Sequence, residues 1–310
     1  MTYLNAITPI NISEEKHKFF NNSNYQPQLE YNWDEKSIEG YKRVSPLFSD
    51  LVDAMVAQDV PQIHIYSREY FDVDFRPQDL EFAANLIRRI PEASNGTADE
   101  LAKIFQSKLD ALNIDYKVEV VDKHGFQCRP NHPAKKVEIS KYLHLQFLST
   151  EGVASHELVH VIRAVNGDHN GIAIQHDYLP TEEGLSCLIQ DELLKEPSAS
   201  SFQHALEFLA ADLSSKASFK EVFDFLVSMG ADEESAWLRG IRQKFGVKDT
   251  SKPGSLMKSG MYFYHERLLS ELSKQELARL FVGKIPQHHL SNYPKYSGVV
   301  PEEKILELLG

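Results

Sequence analysis

Between residues 45 and 112, apolar positions recur every three or four residues in SPLFSDLVDAMVAQD, PQDLEFAANLIRRI and TADELAKIFQSKLDAL. That period predicts three helices. The third opens with Thr97 and Glu100, spaced as a capping box in which each side chain satisfies a backbone N–H at the helix start. The pattern then changes to short runs rich in branched residues. YKVEVVD and KVEIS predict strands, and in KYLHLQF the alternation of Leu143, Leu145 and Phe147 with Tyr142, His144 and Gln146 predicts a half-buried one. Helical spacing returns at residue 150. Ser149 or Thr150 caps a helix that Asn166-Gly167 ends, and TEEGLSCLIQDELL, SFQHALEFLAADL, SFKEVFDFLVSM, ESAWLRGIRQKF, YFYHERLLSEL and SKQELARLFVG follow. A small sheet followed by helices predicts an α+β fold, predominantly α-helical. No repeat or linker divides the chain, so residues 1–310 read as a single domain, with the aperiodic, aromatic first 45 residues as an arm wrapping it.

Composition narrows the function classes. Hydrophobic residues at 42% and charged residues at 25% are those of a globular protein with an ample core. The net charge of −12 argues against nucleic acid or an anionic membrane surface as partner. No apolar run is long enough to span a bilayer, the start lacks a basic leader with an apolar stretch, and the two cysteines share no close-spaced motif. The expected compartment is the cytoplasm.

Candidate chemistry centres on HELVH, residues 156–160. Four residues apart on a helix, His156 and His160 face the same way one turn apart and can share one metal ion. Glu157 lies about 100° around the axis, where a carboxylate can take a proton from water at the ion. Leu158, Val161, Ile162 and Val165 form an apolar stripe that pins the helix into the core. A zinc site with an open position needs a third protein ligand. Glu182 and Glu183, behind Pro180-Thr181, stand in the first turn of a second helix whose buried side is Leu185, Leu188, Ile189 and Leu193. Two histidines and a glutamate from neighbouring helices match the ligand set of thermolysin-type peptidases. His144, His169, His176 and His265 are candidates for orienting the ligand imidazoles.

Several segments together resemble the microtubule-associated tyrosine carboxypeptidases and their bacterial relatives, a gluzincin-like family of zinc metallopeptidases marked by a Gln-Glu-Gly-Leu-Ala-type motif. They are PINISEEKHKFFNNSNYQPQLEYNW, HVIRAVNG with Gln175, TEEGL, Arg239-Gly240, LMKSGMYF and LFVGKI. The resemblance implies a zincin-like fold, one Zn2+ per chain held by His156, His160 and Glu183 rather than Glu182, and Glu157 as catalytic base. It implies removal of a C-terminal residue, notably tyrosine or another aromatic, from a protein or peptide tail. Two departures stand out. The family spaces its histidines five apart, which needs a local π-type bulge, whereas the spacing of four fits a regular helix. Ser259 stands where the family tends to have Asp.

Exopeptidase work needs a cation for the substrate's terminal carboxylate, best a guanidinium fork. Arg239, Arg242, Lys244, Lys248, Lys252 and Lys258 lie within twenty residues that hold a single acid, Asp249. Arg239, Lys258 and Tyr262 fall on matched family positions and are the expected substrate-binding residues, with Tyr262 donating to the oxyanion or lining an aromatic pocket. Two other readings are an aminopeptidase or endopeptidase on the same metal site, and a non-catalytic module that binds acidic tails. Elemental analysis separates the metal readings from the last. The expected result is one zinc per chain, lost or sharply weakened in Glu183→Ala. A wild-type chain refolded with zinc present that takes up none would leave HELVH an ordinary helix.

Overall fold

The computed structural model describes residues 7–22, 24–88, 96–123, 126–145, 148–192 and 199–310. In chain order come α1 (Ile12–Asn21), α2 (Glu35–Lys42), α3 (Pro46–Ala57), α4 (Val60–Tyr70), α5 (Pro77–Leu86) and α6 (Ala98–Ala111). The strands follow: β1 (Lys117–Val121), β2 (Cys128–Asn131) and β3 (Lys136–Ser140). The rest is helical: α7 (Thr150–Asn170), α8 (Leu179–Glu192), α9 (Ala199–Ser214), α10 (Phe219–Ser228), α11 (Glu233–Gln243), α12 (Lys258–Leu269), α13 (Lys274–Arg279) and α14 (Glu302–Leu308). The architecture is mostly helical with one small mixed sheet, an α+β arrangement. Among the described residues no helix is long and apolar enough to cross a membrane.

Two compact units make up the chain, the first from Met1–Arg88 and His204–Met261, the second from Arg89–Gln203 and Tyr262–Gly310. The crossings at residues 203/204 and 261/262 fall inside helices α9 and α12. No linker composition therefore marks these two of the three crossings, and the sequence offers no boundary there.

In the first unit the N-terminal arm is anchored by apolar and polar contacts. Phe19 packs edge-on against Phe219 and Phe223, with centroids at 5.1 and 4.8 Å. The buried carboxylate of Glu15 accepts from the Tyr25 hydroxyl and from the Gln28 backbone N–H. Lys244, one of the basic residues expected to face a substrate, is instead fully buried. Its ammonium donates to the carbonyls of Ser214, Ala217, Lys252 and Gly254 at 2.6–3.1 Å. Four oriented carbonyls replace water around the charge, while burial pushes its pKa down to about 7.

The second unit holds the sheet, in order β1-β3-β2, with β1 parallel and β2 antiparallel to β3. The β2 sequence, CRPN, lacks a strand signature. Pro130 cannot donate to a ladder, and the strand survives because it is an edge. Residues 141–145 form a turn and irregular backbone rather than the expected strand, and Gln146 and Phe147 lie outside the described residues. Helix α4 carries no clear signal in the sequence; Asp59 caps it through its side chain and Pro61 stands in its first turn.

Helix α7 is capped by Ser149, whose Oγ accepts from Gly152 N–H at 2.9 Å. It runs a full turn past Asn166-Gly167, the expected end, and stops at Gly171 in the left-handed conformation (φ 65°). Asn166 and Gly167 serve tertiary contacts instead. Asn166 Nδ2 donates to Phe281 O and the Tyr296 hydroxyl, and its Oδ1 accepts from the N–H groups of Val299 and Val300. A Cβ on Gly167 would lie 3.3 Å from Gly283 Cα, so the glycine permits backbone-to-backbone approach. Leu158, Val161 and Ile162 are buried in the unit's core with Leu185, Leu188 and Ile189 of α8 and Leu101, Phe105 and Leu109 of α6. The capping box of α6 forms as its spacing predicts.

Asn166→Ala is expected to cost about 3 kcal/mol of stability, because it strands donors and acceptors on two segments at once, at Phe281 and at residues 296–300. Urea unfolding of the two proteins side by side reads this; a loss under about 0.5 kcal/mol, the size of an ordinary surface change, would contradict it.

Candidate metal centre

Helix α7 presents His156 and His160 on one side, their ring centroids 5.2 Å apart. Helix α8 packs beside it and brings Glu183 to the same place: its Oε2 lies 3.2 Å from His156 Nε2 and 3.6 Å from His160 Nε2. The opposite nitrogens are engaged elsewhere. His156 Nδ1 faces Gln190 Oε1 at 3.1 Å and His160 Nδ1 faces Glu182 Oε1 at 2.8 Å. An amide oxygen and a carboxylate only accept, so both Nδ1 atoms carry the proton and donate.

That assignment determines what converges at the centre. With Nδ1 protonated, each neutral imidazole turns its Nε2 lone pair toward an oxygen of Glu183. Three lone pairs aimed at one point repel unless a cation lies among them. The donor set, two imidazoles and a carboxylate, is one that zinc favours. Glu157 completes the cluster: one atom each from His156, Glu157 and His160 lies within 4.8 Å of the others. Packing around Glu157 pushes its carboxyl up to about 8, against the pull of His156 and with a further push from Glu183. A dication at the centre would work against that rise.

Glu182, which the sequence offered as an alternative ligand, has its own partners. His160 Nδ1 and Lys284 Nζ hold its Oε1, and Arg163 Nη1 holds its Oε2 at 3.2 Å. Burial alone would raise its carboxyl, but these three groups outweigh it and hold the group well below the usual carboxylate range. Gln190 lies one turn beyond Ser186 on α8. Arg163 and Lys284 lie in HVIRAVNG and LFVGKI, two of the segments that carry the family resemblance, but nothing in the sequence tied them to Glu182; only helical spacing from Glu183 would have suggested Gln190. The candidate orienting histidines give way to Gln190 and Glu182 at the ligand rings.

His265 has a different part. In TEEGL, a Cβ on Gly184 would stand 2.5 Å from His265 Cβ and 2.7 Å from its carbonyl carbon. The glycine lets α12 lie directly on the second turn of α8, and α12 carries Tyr262, whose ring centroid is 6.4 Å from that of His156. Strand β2 packs on α7, and the thiol of Cys128 is pushed up by burial and then by the charge of Glu157. Of the other expected substrate residues, Arg239 and Lys258 belong to the first unit. Arg239 is buried there and donates to Glu207, so its guanidinium is already shared with an internal carboxylate.

No family model matches the chain. It is 25% identical over 271 residues to microtubule-associated tyrosine carboxypeptidase 1 of Rattus norvegicus, covering 83% of this chain and 54% of that protein. The Homo sapiens protein of the same name is 26% identical over the same coverage, and the putative tyrosine carboxypeptidase MATCAP2 of Mus musculus is 23% identical over 84% of this chain and 49% of its own length. The chain thus spans about half the length of the curated relatives it matches.

Gly184→Ala tests the packing that sets Glu183. The clash is with backbone, which cannot swing aside, so a loss of about 1–3 kcal/mol and a lower zinc content are expected. Melting curves and metal analysis together check it; an alanine variant with wild-type values in both would show that the helices do not need this contact.

Proposed function

We propose that this chain, a relative of the microtubule-associated tyrosine carboxypeptidases, is a zincin-like, zinc-dependent carboxypeptidase that removes a C-terminal tyrosine or other aromatic residue from a protein or peptide tail. The observation that carries the proposal is the convergence of His156 Nε2, His160 Nε2 and Glu183 Oε2, with both Nδ1 atoms committed to acceptors. These three residues would hold the zinc. When bound, it supplies Lewis acidity toward the scissile carbonyl and lowers the pKa of water.

The remaining steps fall to side chains of this chain. Glu157 accepts the proton of the attacking water as its oxygen bonds to the carbonyl carbon. It then gives that proton to the amine as the C–N bond breaks. Tyr262, beside His156, is in the right neighbourhood to donate to the carbonyl oxygen or to line an aromatic pocket. Arg239 and Lys258, which fall on matched family positions, are the proposed partners of the substrate's terminal carboxylate. The cytoplasm is the proposed compartment, since both cysteines are buried and free.

Peptides ending in tyrosine, phenylalanine, alanine or a C-terminal amide, incubated with the zinc-loaded protein and followed by mass spectrometry, test the proposal. The expected product lacks one C-terminal residue, fastest with the aromatic ends, slowest with the amide. Glu157→Gln should retain zinc and lose turnover by a factor of about 10³ or more. Internal cuts, trimming from the N-terminus, or near-normal turnover in Glu157→Gln would overturn it.

A further inference from the structure

Glu182 and Glu183 are adjacent in the chain, yet only Glu183 turns an oxygen to the two Nε2 atoms. What keeps Glu182 away is its own set of partners, and Lys284 is the closest of them. Lys284 Nζ lies 2.5 Å from Glu182 Oε1, the oxygen that also accepts from His160 Nδ1. The lysine is 6% exposed, and its ammonium sits 5.1 Å from the ring centroid of Tyr178. Arg163 cannot take over its part. Its Nη1 reaches the other oxygen of Glu182 at 3.2 Å, Nε is committed to the carbonyls of Leu280 and Gly283, and Nη2 to that of Ile285. Those same carbonyls flank Lys284 in the chain, so the arginine fastens the segment that delivers the lysine. Gly283 adds to this: a Cβ there would lie 3.1 Å from Gly167 Cα, which brings the backbone of the segment onto α7 itself.

We infer that Lys284 is a positioning residue of the metal centre: by holding Glu182 against His160 Nδ1, it determines which nitrogen of His160 faces the ion and leaves Glu183 as the sole carboxylate there. This rests on the zinc reading above. The physical reason is competition. Two neighbouring carboxylates are both drawn to a dication, and a carboxylate that turns inward gives up its hydrogen bond to the imidazole. The ring of His160 then loses the partner that fixes its tautomer and orientation. Lys284 supplies a resident positive charge that outbids the ion for Glu182 alone, since it touches Oε1 of that residue and not the shared focus.

The test measures zinc affinity by competition with a chromophoric chelator, and the visible spectrum of the cobalt-loaded protein, which reads ligand number and geometry. Wild type is compared with Lys284→Met, Lys284→Arg, Glu182→Gln and the double variant Glu182→Gln/Lys284→Met. Lys284→Met is expected to weaken zinc binding by about 10- to 100-fold and to shift the cobalt bands. Lys284→Arg should recover much of both. The double variant should bind no more weakly than the weaker single, because the lysine acts through Glu182. It also keeps the question open to measurement if Lys284→Met alone fails to fold, since it removes both members of the buried pair together. A Lys284→Met protein that melts lower but keeps wild-type affinity and spectrum has lost only a structural contact, and that result overturns the inference. Additive losses in the double variant overturn it as well. A wild-type chain that binds no zinc at all instead refutes the zinc reading itself, and is distinguished by its own measurement.

Discussion

A carboxylate carrying its full charge inside a protein needs partners on every side, and Glu182 meets that demand in a way that organises the second unit. Its three partners come from separate parts of the chain: His160 and Arg163 from α7, and Lys284 from the segment after α13. Satisfying one buried charge therefore fixes the spacing of α7, α8 and the C-terminal segment together. An unpaired member would be costly in so apolar a setting, which makes the arrangement close to all-or-none. The orientation of His160 follows from it, and with that the convergence of lone pairs that makes the site a candidate for a metal.

Close backbone approach is the second constraint. Gly167 meets Gly283 where α7 passes the C-terminal segment, and Gly184 meets His265 where α8 passes α12. Neither glycine is needed for a turn. Each removes a Cβ where two backbones must touch, and each lies within a turn of a residue that matters at the site. Segments such as TEEGL and LFVGKI thus combine a charged residue with the small neighbour that allows it to reach its partner.

A third theme is that positive charge in the acidic chain is used internally. Arg163, Arg239, Lys244 and Lys284 are all buried. Carbonyl oxygens surround Lys244, while Arg239 shares its guanidinium with Glu207. Reading the run from Arg239 to Lys258 as one exposed basic surface counts charges that the fold spends on its own interior. The helical period of ESAWLRGIRQKF does not forecast this, since a two-residue step of about 200° puts Arg239 roughly opposite Trp237 and Ile241, yet it is buried.

Local patterns in the sequence determined most of the helices, two of the three strands, the caps at Thr97 and Ser149, and the grouping of His156, Glu157 and His160 on one helix. These depend on residues within a turn or two of each other, so spacing alone reveals them. Other features depended on partners far along the chain. The end of α7 is not legible locally, because Asn166-Gly167 has the composition of a cap whereas its contacts lie more than a hundred residues away, at Phe281, Gly283 and Val299. The edge strand β2 exists only because β3 is there to pair with it. The partners of Glu182, the place of Gln190 and the approach of Lys284 and Arg163 were likewise set by tertiary structure. A side chain's neighbours in sequence say which way it points along its own helix, but only the packing of other elements decides what it meets there.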